Sequence, residues 1–145
     1  MLLTNIQATT APAWTLLIRL SVGAVFLSEG IQKFINPGEV GAGRFAKIGL
    51  PNPELLAPLV GTFEIVCGGL VLVGLLTRLA AIPLIAIMLV AISTTKIPIL
   101  LERGFWAMAH DSRTDYAMLL GSVFLLIVGA GRWSLDSKLA GRSAD

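Results

Sequence analysis

Of 145 residues, 55% are hydrophobic and only 14% are charged, with 11 Lys+Arg against 9 Asp+Glu for a formal charge of +2. A soluble domain carries roughly 25% charged residues, so a water-soluble fold of this length is excluded; so is a large extramembrane domain, because spans of ~20 residues consume most of the chain. The basic excess contains no run of adjacent cations, which argues against nucleic-acid binding, and one cysteine, Cys67, with one histidine, His110, can build neither an intrachain disulfide nor a Cys/His metal site.

The stretch Met1 to Trp14 has no Lys or Arg, and the apolar run after it is interrupted by Arg19 and Glu29, so it is expected to be retained rather than cleaved as a signal peptide. The first span is expected at 14–35, with Trp14 as an interfacial anchor, and Asn36-Pro37-Gly38 stops it. Residues 36–54 read as a polar loop with room for a short interfacial helix around Arg44 to Ile48. A second span, 55–76, has Glu64 as its only charge, and a third, 79–98, follows at once, so the two must form a tight hairpin. Residues 99–114 read as a second polar loop holding Glu102, Arg103, His110, Asp111 and Arg113 beside Phe105 and Trp106. The fourth span, 115–131, is the shortest, and 132–145 is a polar tail. The expectation is therefore a single membrane domain over 1–145, all-α, folded as a transmembrane four-helix bundle in a lipid bilayer.

Two patterns cut across the spans. Arg19-Leu20 and Arg78-Leu79 open segments one and three, and Lys33 and Lys96 lie near their ends, an echo that suits a duplicated helical hairpin. Glycines recur on the spans, among them Gly23, Gly30, Gly61 and Gly68, as close helix contact in lipid requires.

Four crossings put both termini on one side, A, and the two longer loops on the other, B. At ~1.5 Å per residue Glu29 lies ~9 Å and Glu64 ~13 Å inside the B boundary. Glu29, Glu64 and Asp115 then share one half of the bilayer with Lys33, Lys96 and Arg113. A lone carboxylate at the depth of Glu64 costs several kcal/mol, so it must be protonated, face a wet cavity or pair across helices, and Lys33 is the partner at matching depth. Either these charges are interhelical glue, or Glu29, Lys33, Glu64, Lys96, Arg113 and Asp115 line a polar pocket, to which His110 adds a proton donor or a quinone-headgroup contact. With Lys33, Lys96 and Arg113 assigned to the cluster, Arg19, Arg78, Arg132, Lys138 and Arg142 on side A outnumber Arg44, Lys47 and Arg103 on side B, which puts both termini in the cytoplasm.

Arg19-Leu20-x-x-Gly23-x-x-Phe26-x-x-x-Gly30-x-x-Lys33-Phe34 resembles the first-helix signature of the DoxX family of small prokaryotic membrane proteins. Gly49-Leu50-Pro51, Glu64-x-x-x-Gly68-Gly69 running to Gly74-x-x-Thr77-Arg78, Asp115-Tyr116-Ala117 and Gly129-Ala130-Gly131-Arg132-Trp133-Ser134-Leu135-Asp136 are similar to it in the same order. Two positions depart: Glu29 stands where the family often has a neutral residue or histidine, and Asp115 where glutamate is usual. The resemblance implies a four-helix subunit in the prokaryotic inner (plasma) membrane, with relatives tied to quinone-linked or thiol-linked redox systems. With no ligand set for a metal and no dithiol, no intrinsic cofactor is expected, and the redox centre must be a quinone or belong to a redox partner protein. Any enzyme activity would be that of a subunit of a quinone-linked oxidoreductase. The alternatives are a small-solute or proton-coupled transporter or binding protein, which would need a homodimer, and a structural assembly factor without catalysis.

Overall fold

A computed structural model describes Gln7 and residues 9–142. Residues 1–6 and 8, half of the stretch read as a retained N-terminus, and residues 143–145 of the polar tail lie outside them. Among the described residues every regular element is an α-helix: α1 (Thr15–Ile35), α2 (Ala42–Lys47), α3 (Pro53–Val73), α4 (Thr77–Arg103), α5 (Phe105–Asp111), α6 (Arg113–Val128) and α7 (Leu135–Arg142). Three of them, α1, α3 and α4, are long and apolar enough to cross a membrane, with mean hydropathies of 1.3, 2.0 and 2.2. With 16 residues, α6 spans only ~24 Å against a hydrocarbon core of ~30 Å.

The second polar connection is not a loop. The helix α4 runs through Pro98 to Arg103 and stops at Gly104, whose φ of +83° a side chain would resist, and α5 follows directly. Pro98 removes one backbone donor, but the run Ile99-Leu100-Leu101-Glu102-Arg103 favours helix, so the break falls at the glycine.

The helices pack as two antiparallel pairs, α1 with α3 and α4 with α6, with further contacts between α3 and α4 and between α1 and α6. In the first pair Gly23 meets Gly68 and Gly30 meets Gly61: a Cβ on Gly23 would lie 2.9 Å from the Gly68 carbonyl oxygen, and one on Gly30 2.7 Å from that of Gly61. Both glycine pairs recur at seven residues, the period of a seam that stays in contact over two turns. The core between the pairs is Val22, Phe26, Cys67, Val71, Ala80, Leu84, Met88, Met118 and Leu125. Outward faces are equally apolar, with Leu59 and Val66 on α3 and Leu79, Ile82 and Leu89 on α4 half exposed. In water such a face would be an aggregation site; against lipid tails it is the solvated side.

At the A end the pairs are tied by a polar knot. The Arg19 side chain is buried, and its guanidinium donates from Nε to the Val71 carbonyl at 2.9 Å, from Nη2 to Leu72 at 2.6 Å, and from Nη1 to Trp133 at 2.5 Å and Ala130 at 3.3 Å. It thereby satisfies the orphan carbonyls at the C-terminus of α3, where the helix dipole also favours a cation. Asp136, also buried, accepts from the Leu76 and Thr77 amides at 2.8 and 3.0 Å and so caps α4. Gly74 permits the approach: its φ is +70°, and a Cβ there would sit 2.6 Å from Arg19 Cζ. The Gly129-to-Asp136 segment is thus a clamp on the α3–α4 turn.

Candidate functional site

From this closed A end the pairs part toward the B end around a cavity of about 790 Å³, within the range of ligand pockets. Its floor is apolar, with Val25, Phe26, Ile87, Met88 and Met118, and its upper walls are charged.

On the first wall Lys33 Nζ lies 2.6 Å from Glu64 Oε2, with the two side chains 9% and 5% exposed. Helical side chains lean toward the N-terminus of their own helix, and α1 and α3 are antiparallel, so Lys33 leans toward the A end, Glu64 toward the B end, and they meet. Gly30 and Gly61 clear the way: a Cβ on Gly30 would lie 2.9 Å from Glu64 Cβ, and one on Gly61 3.3 Å from Lys33 Cβ. The expected cross-helix pair is therefore present.

Across the cavity the buried Lys96 of α4 reaches two carboxylates, Asp111 Oδ2 at 2.7 Å and Asp115 Oδ2 at 3.0 Å, and the Asp111 carbonyl at 3.3 Å. Asp111 at the end of α5 and Asp115 in the first turn of α6 are four residues apart, so both address one lysine. The Lys96 hydrogen bond, helped by Lys96 charge, holds the Asp111 carboxyl below its ordinary value. Thr94 and Thr95 line the same wall and donate their hydroxyls to the Val90 and Ala91 carbonyls at 2.8 and 2.6 Å, which leaves their oxygens as acceptors.

Five expected residues thus come together around the cavity: Glu29, Lys33, Glu64, Lys96 and Asp115. His110 and Arg113 do not. Both are exposed, and Arg113 Nη1 lies 3.1 Å from His110 Nε2, outside the lining. His110 near the end of α5 and Arg113 at the start of α6 lie on the outer surface, while Asp111 lines the cavity. Asp111 and Arg44 are the functional candidates that sequence reasoning passed over; the four-residue spacing of Asp111 and Asp115 was the available signal for the first, and the second carried none. In all, Glu29, Glu64, Asp111 and Asp115 face Lys33, Arg44 and Lys96. Among the described residues Glu29 forms no ion pair within 4.0 Å.

The sequence model of the DoxX family matches residues 14–97, which takes in α1 to α3 and the lysine wall of α4. The chain belongs to the DoxX family. Relatives of this DoxX chain include "Uncharacterized membrane protein Rv3486" of Mycobacterium tuberculosis, 51% identical over 155 aligned residues covering 95% of each chain. Another, "Putative oxidoreductase CatD" of Bacillus subtilis, is 33% identical over 123 residues covering 84% of each. No solved structure matches the chain. With three helices able to cross a bilayer, this DoxX-family chain is an integral membrane protein.

Proposed function

We propose that this protein is the quinone-binding membrane subunit of a redox system, crossing the prokaryotic plasma membrane four times with both termini in the cytoplasm. The short α6 serves as the fourth crossing, extended by the 129–134 turn to the exposed Trp133, whose ring centroid is 6.2 Å from that of Trp14. The observation that carries the reading is a cavity with a lysine on each of two facing walls, each lysine held by carboxylates, above an apolar floor. A quinone head has two opposed carbonyl oxygens and takes up protons with its electrons. Lys33 and Lys96 can each donate to one carbonyl; a lysine that gives up its proton is left a neutral amine, and a proton taken from water at the B end by Glu64 or Asp115 can then be passed on to it. One Cys and one His give the chain neither a dithiol nor a Cys/His ligand set, so in this reading electrons come from or pass to a partner protein. That the Bacillus relative is named an oxidoreductase supports the same class.

Protein purified in mild detergent should carry quinone extractable with hexane in near-stoichiometric amount, and Lys33→Met should lose at least tenfold of it while still running as a folded species. Wild-type protein that holds no quinone, and whose melting temperature does not respond to added quinone, would end the proposal. The unpaired Glu29 favours a second reading, a carrier for a cationic solute. Solute flux in proteoliposomes driven by a pH gradient separates the two, because a redox subunit carries none.

A further inference from the structure

The exposed residues on the cavity wall fall into two groups. Glu29, Arg44, Pro51, Asp111 and Thr114 form a mostly polar rim toward the B end, whereas Ala86 and Val90 are apolar and sit at the middle of α4, at membrane depth. The rim is partly roofed by α2, whose buried Ala42 and Phe45 pack on Ala57 of α3. Among the described residues nothing covers the mid-helix opening in this way, and Ala86 and Val90 are exposed.

Helical spacing says where that opening leads. Leu79, Pro83, Ala86 and Val90 follow one another at four, three and four residues, so they form one stripe of α4. On α3 the stripe Leu56, Val60, Phe63 and Cys67 has the same steps. These stripes face each other: Phe63 and Cys67 line a second hollow, about 380 Å³, together with Leu79 and Pro83. Every residue lining it is apolar, and it lies on the A side of the charged cavity along the same α3–α4 seam. Groove and cavity together follow α4 from Leu79 to Lys96, ~25 Å of helix, enough for a polar head and the start of a long tail.

We infer that the cavity is filled sideways from the bilayer: its ligand is a membrane-resident amphiphile whose hydrogen-bonding head passes between α3 and α4 at Ala86 and Val90, while its hydrocarbon tail lies in the groove beside Phe63 and Pro83. This rests on the cavity being a ligand site, and it holds for a quinone or for any other tailed molecule. Lipid tails are as apolar as the groove, so the tail gains little there. Affinity comes from the head; the groove holds the molecule in line with the opening.

The full-length protein in phospholipid nanodiscs tests this. Ala86→Trp and Val90→Phe fill the opening without touching a charged residue. In these variants loading of bilayer-dissolved ubiquinone-10 should slow at least tenfold more than loading of the tailless, water-soluble ubiquinone-0 does. Equal slowing of both quinones, or of neither, would overturn the route. If wild-type protein binds neither quinone, the quinone reading fails, and a ligand-free measurement still decides the opening. Nitroxide labels at Ala86→Cys and Arg44→Cys, in a Cys67→Ala background, should differ in electron paramagnetic resonance: the first more accessible to dissolved oxygen, the second to a water-soluble nickel chelate. An Ala86 label as open to the nickel chelate as the Arg44 label would show an aqueous opening and end the inference.

Discussion

At the A end, Arg19 and Asp136 bond to backbone carbonyls and amides; at the B end, Lys33 and Lys96 bond to carboxylate side chains. The difference separates buried charge tied into the backbone from buried charge that the proposed site could use. The backbone partners at the ends of α3 and α4 cannot leave without unwinding a helix end, so the knot is fixed. A carboxylate partner can rotate away and yield its lysine to a ligand, at the cost of one side-chain rearrangement. Rigidity at one end is what allows the helix pairs to stand apart at the other.

The comparison is broken first by removing the knot. Arg19→Met should destabilise the protein by about 5 kcal/mol, since it strips several carbonyls of charged hydrogen bonds. Loss of the monodisperse peak in detergent, or a melting temperature lower by tens of degrees, is the expected result; a loss no greater than that of Lys33→Met would erase the distinction between the ends. A double-mutant cycle on Lys33→Met and Glu64→Gln sharpens it next. Each single change should cost about 3 kcal/mol, and the double change should be milder than their sum by ~1–3 kcal/mol, read from detergent stability. Additivity within ~0.5 kcal/mol would mean that the pair contributes no coupling.

The smallest effect is expected at Asp111. Its carboxyl is held below the ordinary value in the folded protein, so its contribution is complete above the unfolded-state pKa of about 3.9 and is lost as pH falls through the lower folded value. Asp111→Asn should remove this acid-side component and cost no more than about 1 kcal/mol near neutral pH, because the carboxylate is 49% exposed and Asp115 still holds Lys96. Melting curves of both proteins between pH 3 and 7 would show it; identical acid-side profiles would mean that Asp111 adds nothing to the lysine wall.

Much of this was legible in the sequence because lipid imposes simple rules. Long apolar runs marked α1, α3 and α4, and depth counting alone paired Lys33 with Glu64. The echo of Lys33 and Lys96 is also realised in space, since each lysine bonds an acid contributed by the next long helix of its own antiparallel pair. What misled was polarity. Residues 99–114 carry charges and aromatics that read as a loop, although an amphipathic segment at an interface is equally polar and helical. His110 drew attention as the lone histidine, when its neighbour Asp111 lines the cavity. Arg19 stood out as a topology marker and a motif residue but not as the centre of a knot, because its partners are carbonyls, and backbone groups leave no trace in a sequence.

The Asp136 cap also sets an order of manufacture. The turn between α3 and α4 is synthesised more than fifty residues before the side chain that closes it, so as the chain grows the two Leu76 and Thr77 amides must wait in whatever surroundings the insertion machinery offers. The α3–α4 turn cannot be locked until α6 and the segment after it have been made. A chain that stops within α6 lacks Asp136 and so leaves the two amides of the α3–α4 turn without the carboxylate that binds them.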